Sequence, residues 1–269
     1  MSVDPGPFAL GPVGGRGPAV LCLHGLTGTP YEVRPPAEAL AAEGFACVGP
    51  LLPGHGLPAE ALAATEERAW LDSARSEFDR LGATHDRVYV LGLSMGGLLA
   101  LALGACRSVA GLVVMATPLR LRLVERLAVP LLARVRDSLP RDPAIRDPEA
   151  KRHHPGTDRM PLAAAVRLLR LQRLVRDELP RVTAPIHLIF SRADPIVHPR
   201  NAQRILATVG SNRRSVRYLE SSLHGLTVDI ERAQVASDCV RFLRELETVG
   251  RSAALTADEG RPSIGPVRA

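Results

Sequence analysis

Residues 87–97 read Arg87-Val88-Tyr89-Val90-Leu91-Gly92-Leu93-Ser94-Met95-Gly96-Gly97. The stretch 87–91 is short, apolar and β-prone, which predicts a strand, and the apolar run opening at Ser94 predicts a helix over 94–104. With so little chain between them, Ser94 must sit on a sharp strand-to-helix turn. The glycines at 92 and 96 suit a place where backbone passes close to backbone. A serine held there projects its hydroxyl beyond the end of the sheet. The helix N-terminus beneath it offers free N–H groups and a partial positive charge to a developing oxyanion. Gly-x-Ser-x-Gly alone could be a tight turn that happens to contain serine. The strand before it and the helix after it make Ser94 a candidate nucleophile.

Outward from this turn the pattern repeats. Strands are predicted at 8–10, 19–24, 45–48 and 109–116, with helices at 31–43, closed by Gly44, and at 66–81. Residues 19–24 and 109–116 are continuous apolar runs, as in strands buried on both faces. Such alternation predicts an α/β fold with a mainly parallel sheet and helices on both faces. It breaks at Thr117-Pro118. Residues 118–183 hold two apolar-and-basic stretches, 119–135 and 162–179, around a polar piece at 141–161. In the second stretch Arg167, Arg170, Arg173 and Arg176 recur every third residue on one side of a helix. No strand is evident, so the segment reads as a wholly helical cap. The sheet pattern resumes with strands at 186–190 and 215–219 and helices at 200–206 and 230–246. The expected organisation is a core of residues 1–117 and 184–249, a helical cap at 118–183, and a disordered tail at 250–269.

A serine needs a base. His224 stands in Ser222-Leu223-His224-Gly225, between the last strand and the closing helix. Asp194, in Asp194-Pro195-Ile196-Val197 after strand 186–190, can orient the imidazole and stabilise its protonated form. The chain order is then Ser94, Asp194, His224. The backbone N–H of Met95 is one expected oxyanion donor. The other is assigned to Leu26, in the loop His24-Gly25-Leu26-Thr27-Gly28. His24 and His55 also precede glycine but follow earlier strands, and read as hydrogen-bonded residues that structure their loops. His153 and His154 lack a third ligand at suitable spacing and read as surface residues, so no metal is expected.

Together, His24-Gly25-Leu26-Thr27-Gly28, Gly54-His55-Gly56, Gly92–Gly97, Asp194–Val197 and His224-Gly225 resemble the bacterial carboxylesterases and monoacylglycerol lipases of the α/β-hydrolase superfamily. The resemblance spans residues 19–246. It implies the α/β-hydrolase fold with a small helical cap, hydrolysis of small acyl esters or monoglycerides, and no cofactor. The same triad would serve a thioesterase or an acyltransferase, and a non-catalytic receptor retaining the fold also stays open. The acyl pocket is expected to be apolar and lined by Leu26, Met95, Val197 and leucines of the cap. One glycine follows His24, not the HGGG run of lipases that accept bulky tertiary alcohols, so such substrates should be poor.

Composition narrows the partners. The chain of 269 residues is 46% hydrophobic and 23% charged, enough for a large core without disulfides. Its net charge is +6, and Lys151 is the one lysine against 33 arginines. The arginines are scattered rather than interleaved with aromatics, so nucleic acid is not an expected partner. The expected partner is a small-molecule ester. Residues 119–135 mix arginines with leucines, as an interfacial helix would. A cap helix packing those leucines over the acyl pocket is the favoured reading, so a membrane surface is considered but not preferred. Cys22, Cys47, Cys106 and Cys239 lie in apolar stretches without a CxxC pair. They read as buried free thiols in a reducing cytoplasm. The first residues do not look like a signal peptide, and no apolar run is long enough to suggest a membrane span.

Overall fold

The computed structural model describes residues 4–12 and 15–259. Seven strands form the main sheet: β1 (Phe8–Leu10), β2 (Pro18–Leu23), β3 (Ala46–Gly49), β4 (Arg87–Leu93), β5 (Leu112–Met115), β8 (Ile186–Ser191) and β9 (Arg214–Leu219). The remaining two, β6 (Ser138–Pro140) and β7 (Arg159–Pro161), pair with each other in the insertion. The main order is β1-β3-β2-β4-β5-β8-β9, parallel except for β1, which runs antiparallel to β3.

Alternation along the strands sorts the core into two layers. Leu21, Leu23, Val90, Val114 and Leu188 face one side. Helix α3 (Glu67–Gly82) covers them with Trp70, Leu71, Ala74 and Phe78, and α4 (Met95–Cys106) with Leu98 and Leu101. Val20, Cys22, Leu91, Val113 and Ile189 face the other side. There α1 (Arg34–Ala42) supplies Ala37 and Leu40, and α9 (Arg232–Glu259) supplies Val235, Cys239, Phe242 and Leu243. Helix α4 is buried along almost its whole length, which fixes the residue preceding it firmly in space.

Several expectations change. The helix expected at 31–43 begins as a 3-10 turn, Pro30–Val33, because prolines 35 and 36 can occupy only the first α-helical turn. A short helix, α2 (Ala59–Ala64), occupies chain expected as a link. The insertion is not wholly helical. Leu139 pairs with Met160 in β6–β7, strands of three residues that leave too little alternation to read. The insertion's helices are α5 (Leu123–Leu132), α6 (Pro148–Arg152) and α7 (Leu162–Glu178). Helix α7 sends Leu171 and Val175 into the layer under α4, and α8 (Arg200–Thr208) adds Ala202 and Ile205. Helix α5 buries none of its residues, so its leucines do not pack over a pocket as expected. Helix α9 continues through Glu259, past the expected boundary at 249, since no proline interrupts it. The rest of the expected tail, 260–269, lies outside the described residues. Cys22, Cys47 and Cys239 are buried free thiols, but Cys106 is exposed because it ends α4 at the surface. No helix of the described residues is long and apolar enough to cross a membrane.

Candidate active site

Ser94 joins β4 to α4 with φ +55° and ψ −115°. A residue other than glycine in this region costs about 1–3 kcal/mol and persists only where its surroundings over-determine it. Here the Ser94 N–H donates to the Met115 carbonyl at 2.8 Å. The Ser94 carbonyl accepts from the N–H groups of Gly97 (3.0 Å) and Leu98 (3.3 Å). The glycines are a steric requirement. A Cβ on Gly92 would lie 2.2 Å from the Gly96 carbonyl oxygen, and one on Gly96 would lie 2.0 Å from that of Leu23.

The three residues predicted from their strand-end positions meet. His224 Nε2 lies 2.9 Å from Ser94 Oγ, and His224 Nδ1 lies 2.8 Å from Asp194 Oδ2. Asp194 Oδ1 accepts from the N–H groups of Ile196 (2.8 Å) and Val197 (2.9 Å). Burial alone would raise the Asp194 carboxyl, but the His224 imidazole and these two amides hold it below the usual carboxylate range. The geometry allows one tautomer to serve both contacts. Nδ1–H donates to Asp194, and Nε2 accepts the Ser94 hydroxyl proton.

The Gly25–Gly28 loop stands opposite. A Cβ on Gly25 would lie 3.4 Å from Ser94 Cβ. Among the described residues, neither the Leu26 N–H nor the Met95 N–H has an acceptor. Leu26, Met95 and Val197 all belong to one apolar layer. Leu26 is 8% exposed, Val197 1% and Met95 0%. His24 and His55 structure their loops as expected. His24 Nε2 accepts the Leu52 N–H at 3.1 Å, and His55 Nδ1 bonds the Pro53 carbonyl at 3.1 Å. Burial pushes His24 down and His55 to about 3, so both are neutral near pH 7.

Two buried carboxylates around the site were not singled out in the sequence. Glu32 Oε2 accepts the Gly25 N–H at 3.0 Å, while Oε1 faces His154 Nε2 at 3.0 Å and Arg141 at 3.8 Å. The His154 side chain is only 3% exposed, not at the surface, because it is a hydrogen-bond partner of the buried Glu32 carboxylate. The same cap segment donates the Thr157 N–H to the Thr27 carbonyl at 3.1 Å. Asp229 accepts the Leu223 N–H (2.7 Å) beside His224 and the cap amides of Arg146 (3.0 Å) and Asp147 (2.8 Å). Residues 144–157 thus tie the Leu26 loop to the His224 loop. No local pattern marks these two acids. Beside a local amide, each has partners more than 80 residues away, Arg141 and His154 for Glu32, and the cap amides for Asp229.

Burial would push Glu32 up, but His154, Arg141 and His24 outweigh it and bring its carboxyl from about 4.5 to about 2. A carboxyl depressed on folding stabilises the fold above its unfolded value, and that stability is lost as pH falls through the folded value. The wild type should therefore lose about 3 kcal/mol between about pH 4.5 and about pH 2 that Glu32→Gln does not lose. Denaturant titrations of both proteins across this window measure the difference. Parallel losses would contradict it.

A serine on a strand-to-helix turn, with an imidazole and a carboxylate from later strand ends on a mainly parallel sheet, defines an α/β-hydrolase. Residues 16–231 match the family described as serine aminopeptidase, S33 (Hydrolase_4), and the chain belongs to that family. It is 30% identical to the thermostable monoacylglycerol lipase of Bacillus sp. (strain H-257), over 86% of this chain and 90% of that one. It is 28% identical to the carboxylesterase of Bacillus subtilis (strain 168), over 91% and 98% of the two chains. A solved structure described with LipS and LipT, two metagenome-derived lipolytic enzymes, superposes with a TM-score of 0.84. It is 28% identical and covers 91% of this chain and 99% of that one.

Proposed function

We propose that the chain cleaves carboxylic esters of short to medium acyl chains through an acyl-enzyme on Ser94. The chain is a carboxylic ester hydrolase of the α/β-hydrolase type, in keeping with relatives named as a monoacylglycerol lipase and a carboxylesterase. The observation that carries the mechanism is the unbroken line from Ser94 Oγ through His224 to Asp194 Oδ2, with contacts of 2.9 and 2.8 Å.

His224 Nε2 takes the Ser94 proton as Oγ attacks the ester carbonyl carbon. Charge builds on the carbonyl oxygen, where the Met95 and Leu26 N–H groups receive it. The dipole of α4 adds to this stabilisation. The tetrahedral species expels the alcohol, which takes the proton back from Nε2. Water then enters, loses a proton to Nε2 and attacks the acyl carbon. As this second tetrahedral species collapses, Ser94 Oγ leaves with the proton returned from Nε2 and the acid is freed. Asp194 orients the imidazole throughout and stabilises the imidazolium each time it forms. The acyl chain packs beside Leu26 and Val197, with Met95 beneath them in the same apolar layer. The compartment proposed from the unpaired cysteines is the reducing cytoplasm.

A series of p-nitrophenyl esters tests the chain-length assignment. kcat/KM should peak between butyrate and octanoate. A peak at dodecanoate or longer would replace the short-chain reading with a long-chain lipase. Faster cleavage of amino-acid p-nitroanilides than of any ester would point to peptidase chemistry instead.

A further inference from the structure

Helix α5 is amphipathic the wrong way round for a helix on a water-facing surface. Leu123 is 64% exposed, Val124 76%, Leu127 61% and Leu131 61%. The spacing 123, 124, 127, 131 places these side chains on one face, and that face meets solvent. Glu125, Arg126, Ala128 and Val129 are the partly sheltered ones. Exposed apolar ridges of this kind mark interaction surfaces.

The charges beside the ridge are equally unusual. A cavity of about 350 Å³ opens where the start of the insertion meets the loop and helix after Asp194. Arg120, Arg122, Arg126, Arg200 and Arg204 line it, along with Leu123 and Ile196. Among the described residues, none of these five guanidinium groups pairs with a carboxylate. Many arginines elsewhere pair with carboxylates, as in Arg107–Asp79 and Arg217–Asp238, and what sets these five apart is that they meet around one cavity. Glu125, the nearby acid on α5, accepts the Arg122 backbone N–H instead. Five unneutralised cations around one cavity are a seat for anionic groups.

We propose that α5 and the adjoining arginine cavity form a docking surface for an anionic lipid bilayer. The leucine ridge enters the boundary between headgroups and acyl chains, and the arginines hold lipid phosphates. Their long aliphatic stems let the guanidinium groups reach the phosphates from beside the apolar ridge. A second copy of the chain fits this face poorly, because two such faces would bring the same unpaired arginines together. An acidic protein would match the arginines but would also have to cover a ridge that offers no hydrogen-bonding pattern. The bilayer meets both the charge and the apolar surface.

Co-sedimentation of the full chain with vesicles tests the assignment, using phosphatidylcholine alone and phosphatidylcholine mixed with phosphatidylglycerol. Using the Ser94→Ala protein keeps the readout independent of hydrolysis. Binding should require phosphatidylglycerol and weaken as salt rises. The triple variant Arg122→Gln/Arg126→Gln/Arg204→Gln should lower the partition coefficient about 100-fold. Leu127→Asp/Leu131→Asp should abolish binding. Made in the wild-type background, both sets should leave the turnover of a water-soluble p-nitrophenyl ester unchanged, which shows that they fold. No binding to phosphatidylglycerol vesicles at low salt overturns the proposal, as does equal binding by wild type and the triple arginine variant. Dimerisation in sedimentation velocity that Leu127→Asp removes would give the face to a second copy and overturn it as well.

Discussion

Ser94→Ala is expected to lower kcat on a p-nitrophenyl ester by about 10⁴-fold or more while the protein stays folded. The size of the loss follows from what remains. Without Oγ no acyl-enzyme can form, and His224 has no hydroxyl to activate. The Met95 and Leu26 amides are backbone groups and survive the change. A residual rate of about 10³-fold over the uncatalysed reaction is therefore expected from water attacking an ester bound against them. The fold should tolerate the change because the turn is held by backbone. The Ser94 N–H reaches Met115, and its carbonyl meets Gly97 and Leu98. Alanine keeps all three bonds. Circular dichroism and a melting curve confirm folding beside the steady-state assay. Activity near wild type would remove Ser94 from the mechanism.

Asp194→Asn should be nearly as damaging, by about 10⁴-fold in kcat, for a reason written in the two oxygens of Asp194. Oδ1 accepts two backbone N–H groups, from Ile196 and Val197. In the asparagine variant that position must remain an oxygen, because an NH₂ there would face two donors. The NH₂ is then forced toward His224 Nδ1. A donor facing Nδ1 demands that Nδ1 accept, so the imidazole proton moves to Nε2. Nε2 can then no longer accept the Ser94 hydroxyl. The variant keeps its shape but holds the wrong tautomer. KM should change little, since Asp194 does not touch the ester, and kcat should carry the loss. A fall in KM-dependent binding with kcat preserved would contradict this role.

The parts of the site that were legible in the sequence share one property: each is marked by its own neighbours. Ser94 lies between a β-prone run and an apolar helix, Asp194 directly follows an apolar strand, and His224 precedes glycine after the last strand. Their meeting within 3 Å then follows from the parallel sheet, which delivers the ends of β4, β8 and β9 to one edge. The bracing around them was not legible. Glu32 sits in a helical stretch where an acid is ordinary, and nothing nearby announces Arg141 or His154. His154 reads as a surface residue because its partner, Glu32, lies 122 positions away. The orientation of α5 is not legible for a related reason. Periodicity reveals that a helix has an apolar face, and only tertiary packing decides whether that face turns inward. The β6–β7 pair escaped because strands of three residues carry no readable alternation.

The most direct test of the central claim is covalent trapping. The wild type is incubated with a fluorophosphonate, followed by intact mass and peptide mapping. The expected result is one adduct per chain, on the peptide that carries Ser94, formed slowly by Asp194→Asn and not at all by Ser94→Ala. An adduct on another residue, or ester hydrolysis that persists in a chain that does not label, would contradict the assignment of Ser94 as the nucleophile.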